Sequence, residues 1–401
     1  MKLLHRNVPL LSVAQALMMS CNSLIVATAA LVGYNLAEDK SLATLPLAIQ
    51  FIAVMCTSIP AAMLMEKIGR KAAFQIACGF GVSGGLLAST AILNENFWLF
   101  VSGTAFVGMF NGFGNYYRFT AADSVELAYK SKAVSFTMLG GVIAAVAGPT
   151  LAKNSREWIA NAEFAGSYMA IIFLYLGSFA VLSFLDIKDK GSRNQPAADS
   201  GRPIKEIVCQ PEYIVALICG MLGYAIMSFI MTATPLAMNH ASFLFDDTAV
   251  VIQWHVMAMF APSFFTGNLI VRFGVLRIMF FGAVFAACAI AINLAGTSYF
   301  HFLVALTSLG LSWNFLFVGA TTLLTETYHS NERNKAQAVN DFVIFSTVSI
   351  GSLSSGALQN AFGWQIVNLG AIPFLTVIFL ALGWLKYYRT KRLEIVSPLS
   401  S

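Results

Sequence analysis

Long apolar stretches alternate along the chain with short polar breaks. A helix that crosses a bilayer needs about 20 predominantly apolar residues, because the backbone in lipid has to satisfy its hydrogen bonds within the segment. By this criterion the sequence predicts twelve spanning helices and an all-α membrane protein. Their predicted limits are 8–32, 43–64, 72–93, 98–122, 133–152, 165–185, 213–238, 248–270, 277–296, 300–325, 336–359 and 366–388.

A polar segment divides the predicted spans into two sets of six. Residues 186–212 are rich in charged and turn-forming residues and poor in bulky apolar ones, which is typical of a linker. The sequence therefore predicts an N-terminal six-helix bundle over 1–185, a cytoplasmic linker over 186–212 and a C-terminal six-helix bundle over 213–401.

The two predicted bundles repeat each other weakly in sequence. Lys132 and Lys335 each precede an Ala that opens a span after a polar loop, and their offset, 335 − 132, is 203 residues. Gly69 and Gly274 lie in the short loops after the second and eighth spans, with an offset, 274 − 69, of 205 residues. Such repeats predict two pseudo-symmetric bundles related by an axis along the membrane normal.

Composition supports the membrane assignment and excludes other classes. Hydrophobic residues make up 58% of the 401 residues and charged residues 11%, whereas soluble domains contain about a quarter charged residues. The net charge of +5 is too small to indicate a nucleic-acid partner. We expect the lipid bilayer, a small-molecule solute and protons as the partners of a monomeric protein.

Basic residues are distributed unevenly between the two sides that the spans define. Loops on the cytoplasmic side of membranes are enriched in Lys and Arg. With both termini cytoplasmic, only Lys40, Lys153 and Arg156 are left in outer loops. We therefore predict a multi-pass protein of the cytoplasmic (inner) membrane, whose first apolar run is a retained span rather than a signal peptide.

Cysteine spacing and nucleotide motifs give no sign of a cofactor. The six Cys residues form no C-x-x-C pair and most lie in apolar runs, which is typical of inert buried thiols. The chain has no Gly-x-x-x-x-Gly-Lys-Ser/Thr loop. We predict no metal and no cofactor, and any active transport has to draw on an ion gradient or on the solute itself.

A dense charged patch separates the second and third predicted spans. It reads Ala62-Met-Leu-Met-Glu66-Lys67-Ile-Gly69-Arg70-Lys71. This patch resembles the loop between helices 2 and 3 of the major facilitator superfamily, Gly-x-x-x-Asp-Arg/Lys-x-Gly-Arg-Arg/Lys. Ala62 replaces the first Gly and Glu66 replaces the Asp. The resemblance implies the fold of that superfamily, with two six-helix bundles around a central cavity.

The resemblance also implies a cytoplasmic gate. In that family an acidic residue at the end of helix 4 joins the helix 2–3 loop in a charge cluster, and Asp123 is the matching position here. Arg118 lies near the same end of the fourth predicted span, and its alternative role is a snorkelling anchor at the interface. The candidate gate residues are Glu66, Lys67, Gly69, Arg70, Arg118 and Asp123.

The fifth predicted span contains Gly148-Pro149, which we expect to bend the helix. The segment resembles the antiporter-associated motif Gly-Pro-x-x-Gly of the same family, with Ala152 in place of the last Gly. A kinked helix of small residues also serves plain packing, so exchange and packing both remain open.

Polar and aromatic residues near mid-membrane form the candidate solute site. Unpaired amides are costly in hydrocarbon, so we expect them to line a wet cavity. The alternative for the Trp residues is packing or anchoring at the interface. The predicted solute-binding residues are Asn22, Gln50, Asn111, Asn115, Tyr224, Trp254, Trp313 and Asn314.

Two ionisable residues within the second-half spans are candidates for proton coupling. Asp341 lies near the start of the eleventh predicted span, where it could instead be a gating partner of the helix 2–3 loop. His255 lies within the eighth predicted span, and its ordinary pKa of about 6.5 suits a proton carrier. A structural His with satisfied hydrogen bonds is the equal alternative.

Together these features predict a secondary active transporter that moves a small organic solute by alternating access, and the resemblance favours proton coupling. An enzyme is not expected, because no nucleophile with a base and no metal-ligand cluster lies at depth. The alternative function is a non-transporting receptor or sensor with the same fold. Such a protein is expected to carry an appended soluble domain, and the sequence after Tyr388 has no pattern of one.

Overall fold

In the computed structural model, residues 6–126, 130–187, 201–329 and 332–396 are described, and all their regular elements are helices. We number the spans 1 to 12 in chain order. Spans 1 to 6 are Asn7–Leu36, Leu45–Ile68, Arg70–Leu93, Phe97–Gly114 with Tyr117–Asp123, Lys130–Met138 with Gly140–Ser155, and Ala165–Ser183. Spans 7 to 10 are Pro211–His240, Phe245–Phe260 with Ser263–Phe273, Val275–Ala295 and Tyr299–Thr325. Spans 11 and 12 lie within Arg333–Val396, and the short helices Lys40–Leu42 and Ile204–Val208 lie between spans.

The predicted number of spans is confirmed. Ten described helices are long and apolar enough to cross a membrane, and a pair bent by 43° adds an eleventh crossing as span 8. The longest of the ten runs over 58 residues, Lys335–Arg392, and Gly363, with φ of 78°, interrupts its helical backbone. This break separates spans 11 and 12, so the chain has twelve spans.

Several spans differ from their predicted form because of local backbone constraints. Span 4 is not continuous but turns at Asn115 and Tyr116, directly after a glycine-rich stretch. Span 8 breaks before Pro262, which has no N–H to donate to the preceding turn. The predicted bend at Gly148-Pro149 does not interrupt its helix. There a side chain at Gly148 would meet Ser20 and Leu24, so the glycine serves close packing against span 1.

The second and eighth spans end in the same type of turn. Gly69 and Gly274 have φ of 87° and 86°, a backbone conformation that side-chain-bearing residues rarely adopt. Each N–H donates to a carbonyl four residues earlier, on Met65 and Ile270 respectively. The repeat seen weakly in the sequence is therefore a repeat of backbone geometry.

Hydrogen bonds show which ends of the spans lie together. Asn7 at the start of span 1 bonds the backbone of Asp186 after span 6. In the second half, Arg389 of span 12 pairs with Glu326 at the end of span 10. We call this end of the molecule the termini side and the other end the opposite side. Of the linker, residues 188–200 lie outside the described residues.

The linker's described part is attached to the C-terminal half on the termini side. The Arg202 guanidinium binds the Glu332 carboxylate, with Nη2 and Oε2 2.7 Å apart. Lys335 donates to the Arg202 carbonyl, and Gln210 donates to the carbonyl of Thr327 at 2.8 Å. The Arg202 guanidinium and the backbone N–H of His329 hold the pKa of the Glu332 carboxyl well below its usual range.

Ion pairs and an aromatic contact join the two halves on the opposite side. Asp246 at the start of span 8 pairs with Lys153 at 2.7 Å and with Arg156 at 3.6 Å, both from the end of span 5. The rings of Tyr34 and His240, at the ends of spans 1 and 7, meet edge to face with centroids 5.6 Å apart. The halves are therefore held together at this side.

Candidate functional site

Three amide side chains meet inside the N-terminal half. Asn22 Oδ1 of span 1 accepts hydrogen bonds from Gln50 Nε2 of span 2, at 3.1 Å, and from Asn111 Nδ2 of span 4, at 2.7 Å. Gln50 and Asn111 are buried, whereas Asn22 is partly exposed. We call these residues the amide cluster. The structure thus brings together three of the predicted site residues, which come from three different spans.

Aromatic side chains meet in the C-terminal half. Tyr224 and Trp313 lie near the midpoints of spans 7 and 10, as Asn22 does in span 1. Trp313 stacks on Phe317 with centroids 4.8 Å apart and an interplanar angle of 10°. Tyr224 and Phe260 contact the Trp313 ring edge to face at 5.5 Å and 5.9 Å. Phe345 contacts Tyr224 at 6.3 Å. These five residues form the aromatic cluster, and the Trp313 Nε1–H within it is buried with no acceptor among the described residues.

Asn314 belongs neither to the amide cluster nor to the aromatic cluster. It is fully buried, and its Nδ2 donates to the Met259 carbonyl at 2.7 Å and to Ser263 Oγ at 2.6 Å. Its Oδ1 accepts from Thr266 at 2.6 Å. All three partners flank the break in span 8. The amide therefore braces that break, and its donors and its acceptor are all engaged within its own half.

Two other predicted site residues lie outside the clusters. Trp254 is 52% exposed and makes no ring contact with the described aromatic residues, so the structure separates it from the aromatic cluster. Asn115 is partly exposed at the turn of span 4, where its N–H donates to the Asn111 carbonyl at 3.1 Å. Asn115 thus follows the amide cluster by one helical turn on the way to the termini side.

His255 lies inside the C-terminal half and not at the interface between halves. Its side chain is fully buried, and Nδ1 donates to the Leu306 carbonyl of span 10 at 2.7 Å. That bond places the ring proton on Nδ1, since a carbonyl oxygen accepts only. Nε2 has no partner among the described residues. The environment is that of a neutral structural histidine.

Asp341 of span 11 is exposed near the termini side, and Asn340 donates to its carboxylate at 3.1 Å. Arg118 of span 4 acts on it electrostatically across the two halves. The guanidinium of Arg118 also lies over the Phe119 ring, 4.9 Å from its centroid. A cation of one half thus lies within electrostatic range of a carboxylate of the other half.

The predicted gate residues of the N-terminal half are only partly assembled. Arg70, directly after the Gly69 turn, pairs with Asp123 with Nη2 and Oδ2 2.8 Å apart. Both side chains are substantially exposed. Glu66 and Lys67 are also exposed, and neither forms an ion pair with the described residues. Among the described residues, the Arg70–Asp123 ion pair therefore joins the 2–3 loop to the end of span 4.

The sequence reasoning missed three members of the aromatic cluster. Phe317 follows Trp313 by four residues, so both lie on one face of span 10. That spacing could have indicated the stack. Phe260 and Phe345 belong to spans 8 and 11, and they carry no local signal that distinguishes them among 33 Phe residues.

The model of the Major Facilitator Superfamily matches residues 11–261 and 217–398. The chain belongs to this superfamily. It is 38% identical over 380 residues to the riboflavin transporter RfnT of Brucella anthropi, covering 94% of this chain and 95% of that protein. It is 27% identical over 372 residues to the uncharacterized transporter YdeG of Bacillus subtilis, covering 88% of this chain and 86% of that one.

Solved structures of distant relatives have the same fold. A D-xylose–proton symporter matches with a TM-score of 0.72 and 14% identity over 93% of this chain and 96% of its own. The nucleoside transporter NupG matches with a TM-score of 0.71 and 14% identity over 94% and 98%. The predicted two-bundle fold is confirmed. The chain is a multi-pass membrane transporter of small solutes, and the prediction that it is not an enzyme is confirmed by its family and relatives.

Proposed function

We propose that this chain transports riboflavin, or a closely similar neutral flat heterocycle, across the cytoplasmic membrane. The observation that carries the proposal is the pairing of the amide cluster in one half with the aromatic cluster in the other, at comparable depth. Amides suit the polar edge of a heterocycle, and stacked aromatic rings suit its face. The 38% identity to a riboflavin transporter over 94% of the chain supports the same solute.

The proposal places both termini in the cytoplasm, on the termini side. This orientation puts Arg70, Arg202, Arg389 and Lys335 in cytoplasmic segments, as the enrichment of basic residues there requires. The contacts of Asp246 with Lys153 and Arg156 then close the outer side. Solute would therefore leave or enter the site from the cytoplasm in this conformation.

We further propose that transport is coupled to protons through Asp341. A coupling group has to exchange protons with one side of the membrane and change its surroundings as the halves move. Asp341 is exposed on the termini side and lies within electrostatic range of Arg118 of the other half, so rocking of the halves changes the distance between a carboxylate and a cation. His255 is a weaker candidate, because its side chain is fully buried inside one half.

Flux measurements in proteoliposomes test whether riboflavin is the transported solute. We expect saturable uptake of radiolabelled riboflavin by the wild-type protein, and about a tenfold loss of apparent affinity in Trp313→Leu, which removes the stack on Phe317. Trp254→Leu is the matched control, because Trp254 is exposed outside the aromatic cluster. Equal loss in both variants, or no saturable riboflavin flux in the wild type, would contradict the proposal.

A pH gradient tests the coupling. Asp341→Asn is expected to abolish uphill riboflavin transport driven by the gradient, while exchange of labelled for unlabelled riboflavin persists because exchange moves no net proton. If both modes fail together, Asp341 is structural. If gradient-driven transport survives, another group carries the proton.

A further inference from the structure

The hydrogen bonds of the amide cluster are unequal among its members. Asn22 Oδ1 accepts two bonds, from Gln50 and Asn111, and its Nδ2 has no acceptor among the described residues. Gln50 and Asn111 are 5% and 6% exposed, whereas Asn22 is more accessible. Asn22 is therefore the member that presents a free group, and that group is a donor.

The direction of these bonds follows from what the reverse arrangement would bury. With all three amides turned around, Asn22 Nδ2 would donate to the other two, and their NH₂ groups would take the places of Gln50 Oε1 and Asn111 Oδ1. Those places are buried and have no partner. A buried NH₂ without an acceptor is a worse fault than a buried carbonyl oxygen without a donor, since unpaired donors are the rarer in proteins.

Span 1 is in the middle of the molecule, so the exposed face of Asn22 is turned to the interior. This helix packs against spans 2, 4, 5 and 6 of its own half and against spans 7 and 8 of the other half. Met19 and Val26, three residues before and four residues after Asn22, are also partly exposed. At 3.6 residues per turn, these three residues share one face. A helix that packs against both halves is therefore accessible along this one face.

We infer that Asn22 is the specificity-determining residue of the site, whose Nδ2 donates a hydrogen bond to a carbonyl oxygen at the edge of the solute. Gln50 and Asn111 are positioning residues, because they hold Asn22 Oδ1 and so fix which end of its amide faces the solute. The site therefore selects a planar solute with a carbonyl acceptor on its edge. The identity of the solute as a flavin rests on the proposed function above.

Riboflavin offers such acceptors, since its ring system carries two carbonyl groups on one edge. Replacing either oxygen by sulfur leaves the ring flat and weakens only that acceptor. A solute with an amine at this edge would instead meet a second donor and be rejected. The affinity is therefore expected to depend on a single carbonyl oxygen of the solute.

The experiment compares binding of riboflavin and of its 2-thio and 4-thio derivatives to detergent-purified protein. The wild type is expected to bind one of the two derivatives about tenfold more weakly than riboflavin. Asn22→Asp keeps an acceptor for Gln50 and Asn111 but has no N–H. We expect this variant to retain the wild-type melting temperature, to bind riboflavin about tenfold more weakly and to lose the preference over the thio derivative.

Three outcomes of the binding experiment overturn the inference. If Asn22→Asp keeps the wild-type preference for riboflavin, the donor lies elsewhere. If the variant melts well below the wild type, Asn22 donates to its neighbours, because a carboxylate would then face two carbonyl oxygens. A wild type that discriminates against neither derivative also overturns it.

Cysteine labelling gives a test that needs no solute. On a background without the six native Cys residues, Asn22→Cys is expected to react with a small maleimide at least tenfold faster than Gln50→Cys and Asn111→Cys. Equal rates overturn the assignment of Asn22 as the member of the amide cluster that is accessible to solute. A wild type that binds no riboflavin overturns the proposed function and the flavin part of this inference, and the labelling rates then decide the role of Asn22 alone.

Discussion

Spans 2 and 4 cross in the N-terminal half as spans 8 and 10 cross in the C-terminal half, and the two crossings differ at the residues that matter for function. A side chain at Gly108 would meet the backbone carbonyl oxygen of Gln50, and one at Gly310 would meet the backbone carbonyl oxygen of His255. The glycines permit the same close approach in both halves. Gln50 and His255 therefore occupy equivalent positions.

The residues after the two glycines have diverged. Asn111 follows Gly108 by three residues, as Trp313 follows Gly310. An amide in one half therefore occupies the position of an indole in the other. The next pair is Gly112 and Asn314. Gly112 lets span 4 pack against Thr57, whereas Asn314 hydrogen bonds to both sides of the break in span 8. One architecture thus presents hydrogen-bonding groups from one half and aromatic rings from the other.

The largest effect is expected from filling the glycine contacts. Gly108→Ala and Gly310→Ala each place a methyl group against backbone, which cannot move without displacing a helix. We expect each to destabilise the protein by about 3 kcal/mol or more, measured as thermal unfolding in detergent. Gly79→Ala and Gly267→Ala are the matched controls, because both sites are open. Equal behaviour of all four variants would contradict the close contacts, and a difference between Gly108→Ala and Gly310→Ala would contradict the equivalence of the two crossings.

The next largest effect is expected at Asn314, whose substitution should cost more stability than that of Asn111. Asn314→Leu removes the side-chain partner of Ser263 and of the Met259 carbonyl and one of the two acceptors of the Thr266 hydroxyl. A loss of about 2 kcal/mol or more in stability is therefore expected. Asn111→Leu removes a single bond to Asn22 and should cost about 1 kcal/mol. For riboflavin binding the order should reverse, with Asn111→Leu the more damaging. The two readouts are a melting temperature and a dissociation constant, and the same order in both would remove the distinction.

The ion pairs on the termini side also differ between halves. Glu332 is buried and held by Arg202, and its depressed pKa means that the carboxylate stabilises the fold above its ordinary pKa of 4.5. That contribution declines as the pH falls below 4.5, since the unfolded chain then binds the proton more readily. Glu332→Gln should lower the melting temperature at pH 7 and flatten its decline in acid. A variant with the wild-type acid profile would show that other carboxylates govern it.

The smallest effect on stability is expected at the exposed pair. Asp123→Asn breaks the contact with Arg70, and exposed pairs contribute about 0–1 kcal/mol. Its melting temperature should stay near that of the wild type. Transport should nevertheless fall if the pair holds the cytoplasmic gate, and a Cys introduced at Asn115 should become more reactive from the cytoplasmic side. Unchanged reactivity with normal flux would leave these charges as topology determinants.

The sequence by itself determined the twelve spans, the family and the polar breaks, because burial in lipid depends on the hydrophobicity of each segment and hardly on its neighbours. It also indicated the Gly69 turn, since few residues other than Gly tolerate that backbone conformation. The break at Gly363 falls in the predicted gap between spans 11 and 12. The errors came at breaks inside predicted spans, at Pro262 in span 8 and after the glycines of span 4.

Only the tertiary structure decided which polar residues are free to bind. Asn22, Asn111 and Asn314 look alike in the sequence, each a lone amide in an apolar span. Their roles differ because hydrogen-bond partners come from residues far along the chain, 89 positions away for Asn22 and Asn111 and 48 for Thr266 and Asn314. Helix packing selects those partners, and an amide whose atoms are all engaged by its own half has nothing left to offer a solute.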